Sequence, residues 1–402
     1  MKEKRTGKKD RKLLWGTIII SMILSLMVFY VLYNANNKYM TREEKAIHGI
    51  LYADGSYDSL PVYYLSREWE YYPDVLLTPG DDLEKYYFRY LSIGEYGGME
   101  LDARNGKPYG SGTYRLRIML PSEEHTYGLY LPEIFSAYNL YVDGKLIEQV
   151  GNPDPDHYEE RIQHRMFTFK GHTSVEIMIA VTDKDSASPG IQYVPAFGNP
   201  LKVNTVRGIP VFLNSSVFTL VLLVLIFSVW AFFRTRSRAN ALFAGVCVCV
   251  LGYTCYPLLH TYLALRVQPW FSLEMLFYYL TFPAMLLLEH EITGRKYKWV
   301  WWLVGFTAAA GIGATVAGIF AGGMETAALF YGVSAVTEVL KWFTAICLVV
   351  IAFFLHGRNP RASAACRDSA TTAFFSGSSN SPLHHCHRRI KCFDLFCQIH
   401  II

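Results

Sequence analysis

The chain has 402 residues, of which 51% are hydrophobic and only 18% are charged. This composition is too apolar for an ordinary water-soluble protein and indicates a membrane protein of two or three domains. A net charge of +4 gives no argument for a nucleic-acid partner, and the eight cysteines are too unevenly placed for a disulfide framework.

The first segment, MKEKRTGKKDRK at 1–12, is strongly basic, and the apolar segment LLWGTIIISMILSLMVFYVLY follows at 13–33. About 20 apolar residues are enough to cross the hydrocarbon core of a bilayer. No small-residue cleavage site is obvious after this segment, so we expect an uncleaved signal anchor with a cytoplasmic N-terminus. A cleaved signal peptide is the alternative, but the apolar region is long for one.

Residues 34–208 show the pattern of an antiparallel β-sandwich outside the cytoplasm. In GTYRLRIMLP, the apolar residues Tyr114, Leu116, Ile118 and Leu120 fall on one strand face, opposite arginines. In SVEIMIAV at 174–181, Val and Ile alternate with Glu, Met and Ala in the same way. Asp143-Gly144 lies between two strand-like runs and predicts a type I′ hairpin, since both central residues of that turn need positive φ.

Residues 209–355 predict a transmembrane helical bundle. Five apolar spans are expected, at 210–233, 241–263, 271–289, 299–321 and 327–354. Basic residues follow the first, third and fifth spans, and the intervening loops carry few. With the N-terminus inside and the β domain outside, every basic cluster falls in the cytoplasm, as the positive-inside rule requires. We therefore expect a multi-pass protein of the cell membrane.

The segment 356–402 differs abruptly from what precedes it and has no sustained helical or strand period. Its histidines and cysteines, in SPLHHCHRRIKC, are candidates for zinc ligands, but their spacing is irregular. Translation out of frame after about codon 360 explains this composition better. We accordingly predict no metal site and no cofactor, and keep a zinc-responsive tail as a minor alternative.

Three ionisable residues within the spans are candidates for function. Glu338 and Lys341 share a helix face in the fifth span, and Glu274 lies near one end of the third. A local ion pair that makes insertion tolerable is an equally good explanation of the first two. Gly318-x-x-x-Gly322 permits close helix approach, either within the bundle or in a homodimer.

The predicted β domain is dense in aromatic residues, which either fill a core or stack on sugars. We expect most of them to be core or rim residues. Those retained as candidate ligand contacts are Trp69, Tyr71, Tyr72 and Tyr138. No P-loop, G-x-S-x-G or H-E-x-x-H motif occurs. No catalytic residue is therefore predicted, and the chain as given is not expected to be an enzyme.

Three stretches of the β region resemble a known family. REWEYYPDVLLTPGD at 67–81, and GSGTYRLRIMLP followed by LYLPEIFSAYNLYVDGKLIEQVGNP, are similar to ectodomain segments of the bacterial seven-transmembrane receptors with diverse intracellular signalling modules. The resemblance covers roughly residues 60–355. It implies a jelly-roll or galactose-binding-like sensor domain for a small molecule or carbohydrate. It also implies a helical bundle that signals to a cytoplasmic module, often a histidine kinase.

The chain departs from that family in its five spans and in lacking an output module, which suggests a truncated receptor. A signal-transduction receptor is therefore the leading expectation, with a small-molecule or carbohydrate ligand and the lipid bilayer as partners and no nucleic acid. The alternative is a transporter or membrane enzyme with a sugar-binding outer domain, whose working residues would be Glu338, Lys341, Glu274 and His290. Paired polar interruptions or inverted repeats, which that alternative expects, are not clear in the sequence.

Overall fold

A computed structural model describes residues 46–53, 56–93, 110–121, 123–184, 190–293 and 298–319, with isolated residues between 16 and 30 and between 332 and 346. Two β-sheets precede four long helices. The strands are β1 Ile50–Tyr52, β2 Tyr63–Tyr64, β3 Trp69–Pro73, β4 Arg89–Leu91, β5 Gly110–Met119, β6 His125–Leu131, β7 Ala137–Val142, β8 Lys145–Val150, β9 Arg165–Gly171, β10 Ser174–Asp183 and β11 Ala196–Gly198.

The larger sheet has the order β4-β3-β5-β10-β7-β8, with β1 added parallel to β5, and the smaller has the order β2-β11-β6-β9. All the other described pairings are antiparallel. One hydrophobic core joins the two sheets, with Leu116 on β5, Ile179 on β10, Leu129 on β6 and Phe197 on β11 among its members. The two sheets therefore pack on each other around a shared core.

The alternation predicted for two strands is confirmed. Tyr114, Leu116 and Ile118 are fully buried on β5, whereas Arg115 and Arg117 lie on its other face. On β10 the residues Val175, Ile177, Ile179 and Val181 are all fully buried. Apolar side chains at every second position thus place one face of each strand in the core.

The predicted hairpin is also confirmed. Strands β7 and β8 are joined by Asp143 and Gly144, with φ of 47° and 75°. Positive φ at both positions is the type I′ geometry that matches the twist of the strands.

The opposite face of the larger sheet is covered as well. Tyr72, Tyr141, Met178 and Ala180 form a second buried cluster beneath Leu77, which lies in the connection after β3. Leu77 is held there because its amide donates to Thr113 Oγ1 at 2.9 Å. The alternation on β10 is therefore between two buried faces, whereas the sequence suggested one buried and one open.

The helices are α1 Pro200–Thr235, α2 Arg238–Tyr262, α3 Trp270–Thr293 and α4 Lys298–Ile319. All four are long and apolar enough to cross a membrane. They correspond to the first four predicted spans. The fifth predicted span and the predicted signal anchor lie largely outside the described residues, and the isolated residues described between 16 and 30 and between 332 and 346 are helical.

The helical region begins earlier than the predicted boundary at 208/209. Helix α1 begins at Pro200, with Asn199 as its N-cap, and Asn199 Oδ1 accepts from the amide of Leu201 at 3.0 Å. Its first turns contain Lys, Asn, Thr and Arg, so hydropathy alone does not reveal them. Proline at the first helical position and asparagine before it are an ordinary helix start.

The chain divides into two compact units. The larger joins Lys38–Met285 with Trp301–Trp342 and holds both sheets, α1 and α2. The smaller comprises Met1–Asn37, Leu286–Val300 and Phe343–Ile402. Every contact described below lies within the larger unit.

Candidate functional site: the contact between the β domain and the helix ends

The four candidate aromatic residues lie in the interior of the β domain. Trp69 is 0% exposed, and Tyr71, Tyr72 and Tyr138 are at most 2% exposed. The indole of Trp69 donates to the carbonyl of Leu65 at 2.7 Å. These rings are packing residues in this structure, and ligand contact by them stays a prediction that would require the domain to open.

Of the three intramembrane candidates, only Glu274 is described. It lies in the second turn of α3 and is half-buried. Glu338 and Lys341 lie outside the described residues. The structure therefore does not bring the three together, and their joint role stays a prediction.

A direct main-chain connection joins the β domain to the loop between α2 and α3. We call residues 159–164, just before β9, the contact segment, and residues 263–269 the interhelical loop. Ile162 and Leu265 form an antiparallel bridge, with N···O distances of 2.8 and 3.2 Å. The amide of His164 also donates to the carbonyl of His260 at 3.3 Å. The interhelical loop is therefore held to the β domain like a short strand.

Polar side chains extend this connection at one end of the bridge. Arg266 Nη2 lies 3.2 Å from Glu159 Oε1, and the amide of Gln268 donates to Glu160 Oε1 at 3.1 Å. Arg161 Nη2 contacts the same oxygen of Glu159 at 2.9 Å. One carboxylate thus binds an arginine from each side of the contact.

An apolar cluster fills the space behind the bridge. Ile162, Tyr256 and Val267 are buried there, and Phe135, Leu265 and Phe271 pack against them. The rings of Phe135 and Phe271 meet edge to face at 5.7 Å. Because residues of the β domain, α2, α3 and the interhelical loop share this cluster, a displacement of one must disturb the packing of the others.

The start of α1 provides a second connection. Val203 on its first turn is buried against Tyr130 and Ala196 of the smaller sheet. Lys202 Nζ donates to the carbonyl of Leu60 at 2.7 Å and to that of Asp58 at 3.0 Å. Since α1 is continuous from this point to Thr235, the β domain is attached directly to a helix of membrane-spanning length.

Glu133, His164 and His260 converge beside the contact segment. Glu133 follows β6, His164 precedes β9, and His260 lies in the last turn of α2. His164 Nε2 lies 3.0 Å from Glu133 Oε1, and the two imidazole rings stack at 4.9 Å with 4° between their planes. Their potential ligand atoms all lie within 4.8 Å of one another, so the group could hold a metal ion.

Two ionisable groups in this region of the β domain have shifted pKa values. Burial, and then the charge of Glu133, raises the pKa of Tyr130, whose hydroxyl lies 2.8 Å from His164 Nδ1. Hydrogen bonds from Arg161 and then Arg266 lower the pKa of Glu159. At neutral pH the site therefore contains a neutral phenol beside His164 and an ionised carboxylate at the end of the contact.

Sequence reasoning missed this contact and the Glu133–His164–His260 group. The three residues lie far apart in the chain, so they do not form a recognisable metal-ligand spacing. The sequence suggested candidate metal ligands only in the tail. The available signal was weak: a histidine near the end of an apolar span, and two more ionisable residues at strand ends of a neighbouring domain.

Comparisons with known proteins do not identify the chain. No protein-family model and no curated protein matches it. Solved structures similar in part include a GH2 β-galacturonidase from Eisenbergiella tayi, at 14% identity and TM-score 0.26, covering 35% of this chain and 24% of that one. The β-glucuronidase of Faecalibacterium prausnitzii matches at 10% identity and TM-score 0.26, covering 35% and 31%.

A β-glucuronidase from Ruminococcus gnavus, in complex with N1-substituted uronic isofagomine, matches at 12% identity and TM-score 0.24, covering 35% of this chain and 30% of that one. This chain therefore spans less than a third of the length of each of these enzymes. Similarity this distant assigns neither activity nor substrate.

Proposed function

We propose that this protein is a membrane signal-transduction receptor. In this proposal the β domain lies outside the cytoplasm, has a jelly-roll-like architecture and binds a small molecule or carbohydrate. The helical bundle passes the change toward a cytoplasmic output module. The observation that carries the proposal is the Ile162–Leu265 bridge, because it makes the interhelical loop a structural extension of the β domain.

A change in the β domain would reach the helices through the residues that the two parts share. A ligand shifts an equilibrium between two arrangements only by its differential affinity for them. The contact segment is attached to the ends of α2 and α3, and α1 begins on the smaller sheet. A rearrangement of the β domain is thereby transmitted to three helix ends through main-chain bonds and packed side chains, with no flexible linker between them.

The first step of the test is to find a ligand. The full chain, purified in detergent, is melted in the presence of a panel of sugars, uronic acids and small metabolites. A ligand that binds the folded state raises the melting temperature as its concentration rises. A compound found in this way is then used to compare amide hydrogen exchange in the bound and free protein.

The proposal expects the ligand to change exchange both in the β domain and at residues 259–268. Ile162→Ala, which removes a buried side chain of the contact, should keep ligand binding and lose the change at 259–268. Ile147→Ala, at an exposed position on β8, is the matched control and should keep both. If protection changes in the β domain alone in the unaltered chain, the receptor proposal fails. If the compound is instead carried into proteoliposomes, the transporter alternative is supported.

A further inference from the structure

Three metal-binding side chain types meet where the β domain contacts α2. Glu133 and His164 belong to the β domain, and His260 belongs to the last turn of α2. Two imidazoles and one carboxylate are a ligand set that suits borderline transition metals such as Zn²⁺, whereas Ca²⁺ and Mg²⁺ prefer oxygen ligands. The group therefore has the chemistry of a zinc site with three protein ligands.

The separations are close to those that an ion needs. A tetrahedral ion with bonds of about 2.0–2.1 Å holds its ligand atoms about 3.3 Å apart. His164 Nε2 and Glu133 Oε1 are 3.0 Å apart, and the widest separation in the group is within 4.8 Å. Each imidazole binds an ion in its own plane, so binding requires the two nearly parallel rings to tilt toward each other.

A neighbouring residue already orients His164 for this role. Tyr130, on β6, places its hydroxyl 2.8 Å from His164 Nδ1. Histidine ligands of metals commonly use their second ring nitrogen to hydrogen-bond an outer partner, which fixes the tautomer. When Nδ1–H donates to the Tyr130 oxygen, the lone pair of Nε2 points to the carboxylate of Glu133.

The three side chains are largely shielded from solvent, which favours binding of an ion. His164 and His260 are 6% and 2% exposed, and the Glu133 side chain is 14% exposed. The partly open carboxylate gives a path of entry from water. Burial on the other sides strengthens the attraction between the carboxylate and a cation, because the local dielectric is low.

We propose that Glu133, His164 and His260 bind one divalent transition-metal ion of the zinc class, and that this ion fastens the β domain to the end of α2. The ion would lie between the ligand nitrogens of the two histidines and the carboxylate of Glu133. Its fourth position would be taken by water or by a group of a bound ligand. The metal would thus act as a structural clasp at the contact.

The experiment uses the full chain, purified in detergent with a tag that contains no histidine. The protein is stripped with a chelator, and zinc is added back. Bound zinc is measured by elemental analysis and by titration calorimetry. We expect one equivalent of zinc that raises the melting temperature. Glu133→Gln, His164→Gln and His260→Gln should each weaken its binding at least about tenfold.

Matched controls separate this site from other histidines. His157→Gln changes an exposed histidine of the same domain, and a variant carrying His384→Gln and Cys386→Ser alters the tail. Both variants should still bind one equivalent of zinc. Glu133→Gln keeps the size of the side chain and its ability to form hydrogen bonds. A variant that melts without zinc as the zinc-free unaltered chain does is therefore folded.

Cobalt(II) provides an independent readout of the ligands. In the unaltered chain it should give the visible absorption of a four-coordinate site without the near-ultraviolet thiolate band that cysteine ligands produce. The proposal is overturned if the unaltered chain binds no zinc, if the three variants bind it as tightly, or if only the tail variant loses it. None of these measurements uses a ligand or an output, so they stand apart from the receptor proposal.

Discussion

Ile162 and Leu265 exchange two backbone hydrogen bonds, at 2.8 and 3.2 Å, across the boundary between the β domain and the interhelical loop. Because the bonds join main-chain atoms, replacing either residue by alanine removes no donor or acceptor of the bridge. The side chain of Ile162 adds to them by filling the apolar cluster with Tyr256 and Val267. In this connection the backbone hydrogen bonds set the alignment of the two segments, and the buried side chain of Ile162 stabilises it.

Truncating Ile162 tests the share of stability that comes from burial. Ile162→Ala should cost about 2–5 kcal/mol, as for other large-to-small substitutions at fully buried positions. The cost should appear as faster amide exchange at both Ile162 and Leu265, measured in the full chain. Ile147→Ala on β8 removes the same atoms from an exposed position and should cost far less. Equal effects of the two variants would contradict a packed contact.

A partly buried ion cluster on the larger sheet gives a second prediction. Arg115 binds Glu70 Oε2 at 2.7 Å and also contacts Glu176, and Tyr72 donates to Glu70 at 3.1 Å. Arg115→Met leaves two carboxylates without their main cation and should cost about 3–5 kcal/mol. Arg117→Met, two residues along β5 and far more exposed, should cost at most about 1 kcal/mol. Chemical denaturation of both variants measures the difference.

The sign of the pH dependence of this cluster follows from Arg115. Burial opposes the charge of Arg115, but hydrogen bonds and charges from Glu70 and Glu176 outweigh burial and raise the pKa of Arg115. A raised pKa on a base adds stability at pH values below its ordinary pKa. The difference between Arg115→Met and the unaltered chain should therefore persist through neutral and mildly alkaline pH. Its disappearance by about pH 9 would contradict this assignment.

Acidification should weaken the contact at Glu159. Its pKa is lowered by Arg161 and Arg266, so its contribution to stability is present above the ordinary carboxylate pKa and is lost as the pH falls through the lowered one. The ion pairs are exposed, which limits the contribution to about 1 kcal/mol. Melting temperatures of the unaltered chain and Glu159→Gln should differ near neutral pH and converge once the pH has fallen below the lowered pKa of Glu159. Curves that stay parallel throughout would exclude a role for the charge.

The hydroxyl of Tyr130 should matter to metal affinity and little to folding. Tyr130→Phe removes the partner of His164 Nδ1, and losses of this kind weaken metal binding about 10–100-fold. Tyr127→Phe, on the same strand, deletes a buried hydroxyl that makes no hydrogen bond among the described residues. It should leave zinc affinity unchanged. Titration calorimetry with zinc compares the two, and equal affinities would show that Tyr130 does not orient the ligand.

Local patterns in the sequence were sufficient for much of the β domain. Alternation identified the buried faces of β5 and β10, and Asp143-Gly144 identified the turn between β7 and β8, because these features depend only on neighbouring residues. The start of α1 was missed since its polar first turns were judged by hydropathy, although Asn199-Pro200 carried the signal.

The contact could not be predicted because its two sides are distant in the chain. Ile162 lies before β9 and Leu265 lies between two apolar spans, and nothing in either stretch specifies the other as its partner. The same holds for Glu133, His164 and His260. The four aromatic candidates show a related limit, because a tyrosine that stacks on a ligand and one that fills a core can have the same local sequence. Only the structure shows that these four side chains are buried.

Alanine substitutions at two glycines separate the effect of backbone strain at a turn from the effect of displacing the contact segment. Gly144 and Gly151 both have positive φ, at 75° and 69°, so alanine is conformationally strained at either position. A Cβ at Gly144 would meet Pro79 at an ordinary 3.7 Å, whereas a Cβ at Gly151 would lie 2.2 Å from the carbonyl oxygen of Glu159. Only the second substitution must push the contact segment away from β8.

We therefore expect Gly144→Ala to cost about 1 kcal/mol and to leave the contact intact. Gly151→Ala should cost more, and it should also speed amide exchange at Ile162 and Leu265 and weaken zinc binding through His164. Both variants are compared in the full chain by denaturation, hydrogen exchange and zinc titration. If Gly151→Ala lowers stability but leaves exchange and zinc affinity as in Gly144→Ala, then the position of the contact segment does not control either property.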